Sequence, residues 1–116
     1  MDYSTTYRLA QEIRDSEEYK TYHELKESVM ADETTAALIR EYRKLQMMIQ
    51  VSALSGQTAS EEDMRRFSGI STLLFSKQEV STFLLAEMRL QQALADIFKI
   101  VTEAADLDVG LPGIEG

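Results

Sequence analysis

The stretch KQEVSTFLLAEMRLQQALADIFKIVTEAA, residues 77–105, runs for 29 residues without a Pro or Gly. A helix of that length spans on the order of 40 Å at about 1.5 Å per residue. At about 100° per residue, Val80, Phe83, Leu84, Met88, Leu90, Ala93, Leu94, Ala95, Ile97, Phe98, Ile100 and Val101 cover about two-thirds of its circumference. A surface helix of a monomer needs a stripe only roughly 100–140° wide. A chain of 116 residues has few other elements with which to cover so broad a face. The economical solution is a helix that packs on its own chain and on a second copy, the commonest partner in symmetric assemblies. Glu87 and Gln91 stand one turn apart within this arc, with Arg89 beside them. A carboxylate among apolar neighbours needs a pairing group, for which Arg40, Arg43 and Arg89 are candidates. The reading of this surface as an interface names Phe83, Glu87, Arg89, Leu90, Gln91, Leu94 and Phe98. The alternative reading of Glu87 and Gln91 is a structural pair that fixes packing register.

Outward from that helix, punctuation is sparse. Pro112 is the single Pro, and three of the five Gly fall in the last seven residues. Such a chain reads as helices throughout. Tyr7, Leu9, Ala10 and Ile13 form the stripe of a short first helix. Asp15 with Glu18 reads as a capping box opening a second helix, with Tyr19, Tyr22, Leu25 and Val29 on one face. Asp32 is the expected N-cap of a third helix carrying Leu38, Tyr42, Leu45 and Ile49. Gly56 is the expected stop, because it accepts the left-handed conformation after a helix end. Ser60 with Asp63, and Ser76 with Glu79, mark two more starts by the same logic, and Met64, Phe67, Ile70, Leu73 and Leu74 carry the fourth helix. Met47, Met48 and the Tyr residues read as core or half-buried packing. The sum is an all-α, five-helix, mostly antiparallel, dimeric bundle. Residues 1–105 read as a single helical domain and residues 106–116 as an extended or disordered tail.

Composition removes several function classes. Twelve Lys and Arg against twenty Asp and Glu leave a formal charge of −8, which argues against binding nucleic acid or an anionic membrane through net charge. Without cysteine there is no disulfide, thiolate zinc site, iron–sulfur cluster or thiol nucleophile. His23 is the lone imidazole, no Glu-x-x-His pair occurs, and no Gly-rich phosphate loop is present. The Ser residues have no imidazole arrangement to activate them. No catalytic residue, cofactor or metal is therefore expected. Arg40, Arg43 and Lys44 form a small basic cluster interrupted by Glu41, read as a solvated helix face, with RNA or an acidic partner as the other option. No signal peptide or membrane span is visible, so a cytoplasmic protein is expected.

The order Ser16-Glu17-Glu18-Tyr19, Ala31-Asp32-Glu33, residues 39–46 (IREYRKLQ), Gly56, Ser60-Glu61-Glu62-Asp63 and Ala86-Glu87-Met88-Arg89-Leu90 is similar to that of the YlbF/YmcA/YheA family of small helical proteins. The resemblance spans about residues 3–103 and is closest, in length and lack of extensions, to the YheA-like members. It implies an elongated dimeric helical fold without an active site, in a cytosolic regulator from a Gram-positive bacterium. Characterised relatives support competence, sporulation and biofilm formation, acting with related family members in a complex that affects messenger RNA processing by the membrane-anchored endoribonuclease Y. Some relatives hold iron–sulfur clusters through cysteines near the C-terminus, which this chain lacks. The tail Gly-Leu-Pro-Gly-Ile-Glu-Gly, residues 110–116, matches no family motif.

The function expected is that of a regulatory adaptor acting through protein–protein contact, as a homodimer and in company with related proteins, with no direct contact to nucleic acid or membrane. Two alternatives come from other classes. One is a small helical enzyme resembling chorismate mutase, whose inter-helix pocket needs at least two inward Arg side chains. The other is a packing or holdase module.

Overall fold

A computed structural model describes residues 1–106 as five helices: α1 (Ser4–Asp15), α2 (Glu17–Met30), α3 (Glu33–Leu54), α4 (Glu61–Phe75) and α5 (Gln78–Ala105). Among the described residues there is no strand, as the punctuation predicts. The tail expected over 106–116 lies outside the described residues except for Asp106, whose left-handed backbone (φ 51°) follows the end of α5.

Local chemistry sets most of these boundaries. The Asp32 carboxylate accepts the Thr35 backbone N–H at 3.3 Å and the Thr35 hydroxyl, capping α3. The Ser60 hydroxyl accepts the Asp63 N–H at 3.1 Å and opens α4. At the end of α3, Gly56 has φ +74°, its N–H donates to the Ala53 carbonyl, and the Gln57 N–H donates to the Ser52 carbonyl. Those two bonds are the Schellman arrangement that satisfies the last carbonyls of a helix. A Cβ at Gly56 would meet nothing within 4 Å, so Gly56→Ala should cost only the backbone strain of the left-handed region, about 1 kcal/mol. Urea unfolding of the two proteins measures it.

Two expected caps do not form. At the α1–α2 junction the cap is Ser16, whose hydroxyl accepts the Tyr19 N–H at 3.2 Å while donating to the Ile13 carbonyl at 2.6 Å. Ser16 has an extended backbone (ψ 152°), and that single residue separates the helices. Asp15 is the last residue of α1 and accepts from Gln11 instead. At the α4–α5 junction Ser76 keeps a helical backbone and its hydroxyl turns back to the Leu73 carbonyl. Glu79 there accepts a hydrogen bond from Ser28 of α2. A tertiary partner has taken the carboxylate that the local pattern assigned to a cap.

The chain groups into two compact units, Met1–His23 with the chain from Leu84 onward, and Glu24–Phe83. In the second unit, α3 and α4 fold back on each other through residues 55–60. Tyr42 stacks on Phe67 at 5.1 Å and meets Phe75 edge-on at 6.2 Å, while Arg66 bridges Glu41 at 2.6 Å. Val29, Ala36, Ile39, Leu45, Leu74, Val80 and Phe83 are buried there, with Ile39 and Phe83 wholly inaccessible. Thr35 is the buried polar residue, and its hydroxyl also lies 3.4 Å from the Lys77 ammonium. The Thr35 hydroxyl bond, with lesser help from backbone N–H groups and from Lys77, holds the Asp32 carboxyl below its ordinary value of 3.8. A depressed folded-state value means stability that is present above the unfolded pKa and lost as pH falls through the folded one. Asp32→Asn is therefore expected to flatten the stability profile below about pH 4, which acid titration followed by circular dichroism reads directly.

The first unit has less of a core. α1 contains no buried residue; Leu9, Ala10 and Ile13 are half-buried, and Tyr7, expected in the stripe, is 76% exposed. Tyr19 stacks on His23 at 5.4 Å, one turn along α2.

Candidate docking surface

Within the first unit, α1 and the later part of α5 enclose a cavity of about 190 Å³. Its walls are Leu9 and Ile13 from α1 and Leu90, Ala93, Leu94 and Ile97 from α5, with Glu12, Ser16 and Glu18 completing the lining. The spacing explains the walls, since Leu9 and Ile13 stand one turn apart, and Leu90, Ala93, Leu94 and Ile97 recur at helical intervals. The Ser16 hydroxyl is already used in its two backbone bonds. What remains is an aliphatic surface, about half open to solvent, with Glu12 and Glu18 among its lining residues. No arginine lines it, so it lacks the cations that a dicarboxylate substrate requires.

The structure places the seven expected interface residues differently from one another. Leu90 and Leu94 lie together in the groove, half-buried and 43% exposed respectively. Phe83 is fully buried in its own chain. Phe98 and Glu87 are half-buried, whereas Arg89 and Gln91 are exposed, and none of these four lines the groove. Sequence reading did not connect Glu12 and Glu18 with α5, because helical periodicity identifies a face but not the element it meets.

A second surface lies on α3. Met47, Val51 and Leu54, at the i, i+4 and i+7 spacing of one helix face, are 66%, 55% and 77% exposed. Met47 and Met48, expected as packing residues, are thus surface residues; the half-turn of α3 that faces inward is occupied by Leu45 and Ile49 instead. Arg40 and Lys44 continue the exposed face toward the start of the helix. Residues 42–60 contain no Asp or Glu.

Over the described residues, nine hydrophobic residues are buried while fifteen large ones are exposed. Among the described residues no cluster of three or more His, Cys, Asp or Glu is arranged to hold a metal ion, and no helix is long and apolar enough to cross a membrane.

Comparison with known proteins points one way. The chain is 33% identical to a UPF0342 protein of Halothermothrix orenii over 109 residues, covering 94% of this chain and 91% of that one. It is 30% identical to a UPF0342 protein of Caldicellulosiruptor saccharolyticus over 105 residues, covering 90% and 88% of the two chains. Its fold is similar to that of a protein of unknown function (DUF964) from Bacillus stearothermophilus, with a TM-score of 0.69 at 17% identity over 90% of this chain and 91% of the other. The model of a family described as "Control of competence regulator ComK, YlbF/YmcA" matches residues 3–105. With that match across nearly all of the described helices, the chain belongs to the YlbF/YmcA family.

Proposed function

We propose that this protein is a cytoplasmic regulatory adaptor with no chemistry of its own, acting by protein–protein contact as a homodimer built through α5. The observation that carries this reading is the aliphatic, arginine-free groove between α1 and α5, together with the number of large apolar side chains the chain leaves exposed. The family's description, control of the competence regulator ComK, supports a regulatory role. On that basis the homodimer joins related family members in an assembly that influences messenger RNA processing, without touching nucleic acid itself, and so affects competence, sporulation and biofilm formation. Glu87, Arg89 and Gln91 belong to the interface in this reading, Glu87 as its pairing carboxylate. Glu87→Ala should then weaken self-association without unfolding the chain. Unchanged sedimentation would remove Glu87 from the interface.

The function itself is tested by recovering the tagged protein from its native lysate, with and without ribonuclease, and identifying stoichiometric partners by mass spectrometry. Recovery of a related helical protein or an RNA-processing nuclease, insensitive to ribonuclease, is the expected result. Loss of every partner on ribonuclease treatment would replace the adaptor with an RNA-binding protein. Suppression of aggregation of unrelated client proteins would instead favour a holdase.

A further inference from the structure

Two exposed surfaces of this chain are complementary to each other. The groove of the first unit is aliphatic, walled by Leu9, Ile13, Leu90 and Leu94, with the acidic residues Glu12 and Glu18 also in its lining. The outer face of α3 is the converse, with Met47, Val51 and Leu54 exposed in line and Lys44 and Arg40 one and two turns before Met47 respectively. From this match we infer that the α3 face of a second copy docks in the α1/α5 groove. The inference rests on the proposed self-association and names the element that meets α5.

Anchors at i, i+4 and i+7 are the pattern by which a helix enters an apolar groove, and Met side chains adapt to an irregular one. Glu12 and Glu18 favour a helix that presents cations beside its apolar anchors, because cations attract them whereas an acidic helix is repelled. Finally, residues 42–60 are the longest stretch without Asp or Glu in a chain of net charge −8. Because the two surfaces differ, each chain offers both a groove and a helix face to other copies.

Charge reversal tests the pairing. One variant carries Glu12→Lys and Glu18→Lys; the other carries Arg40→Glu and Lys44→Glu. Sedimentation equilibrium at about 0.05 M salt, where screening is weak, is expected to show each variant self-associating at least about tenfold more weakly than the native chain. An equimolar mixture should recover native affinity as a heterodimer, because a basic groove then meets an acidic helix and an acidic groove meets a basic one. Circular dichroism establishes that each variant folds, and the milder Gln substitutions at the same positions replace any that does not. Native association that survives both reversals, or variants that weaken without recovery on mixing, would overturn this pairing while leaving the homodimer in place. A native chain that stays monomeric at about 100 μM would overturn the homodimer as well.

Discussion

Phe83→Ala is expected to destabilise the protein by about 3–5 kcal/mol, lowering the melting temperature by on the order of 10–20 °C. Phe83 lies on α5 and is wholly inaccessible, among the buried set that includes Ile39, Leu45 and Leu74. Removing its ring forfeits the transfer free energy of a large aromatic side chain and leaves a cavity between helices that cannot fully collapse. Total stabilities of small domains are only about 5–15 kcal/mol, so the variant stands near the threshold of folding. Two residues along the same helix, Leu85 is 47% exposed, and Leu85→Ala should cost under about 1 kcal/mol in the dilute chain. Parallel thermal melts separate the two cases. A Phe83→Ala protein melting within a few degrees of native would mean that this end of α5 is not the anchor the buried set indicates.

Leu94→Glu has the second largest expected effect, on association rather than folding. Leu94 lines the groove but is 43% exposed, so the variant gives up only part of a leucine's burial, about 1 kcal/mol. In the proposed dimer the same position is covered by the partner. A carboxylate there would be desolvated against the apolar anchors of the second copy's α3 face and would add a like charge to Glu12 and Glu18, and losses of about 2–4 kcal/mol are usual at such central apolar positions. Self-association weakened by roughly a hundredfold, with a melting temperature little changed in dilute solution, is the result that places the interface at the groove. Equal association of native and variant chains would move it elsewhere on the molecule.

These expectations bear unequally on what was legible in advance. The caps at Asp32 and Ser60 and the stop at Gly56 follow from side-chain and backbone chemistry within three or four residues, and they occur as expected. At the start of α2 the capping-box pattern points to Asp15, and the cap is its neighbour Ser16. The choice fell to the residue whose extended backbone leaves its hydroxyl facing the next N–H. Ser76 and Glu79 met the same local rule and failed it, because Glu79 found Ser28, 51 positions away in the chain. The groove was half visible. Leu90 and Leu94 were marked by the breadth of the apolar arc on α5, but Glu12 and Glu18, which give the site its charge, belong to other helices.

By itself, then, the sequence determined five helices, their near-exact limits, the family they belong to and an apolar surplus on the last of them. Each of these rests on interactions spanning a turn or two, or on a count of residues. Only tertiary packing decided that Phe83 would be core while Leu94 stays open, that Met47, Val51 and Leu54 would face outward, and that carboxylates would rim the groove. The reason is geometric: helical periodicity specifies which side chains share a face, whereas burial depends on which distant segment that face meets.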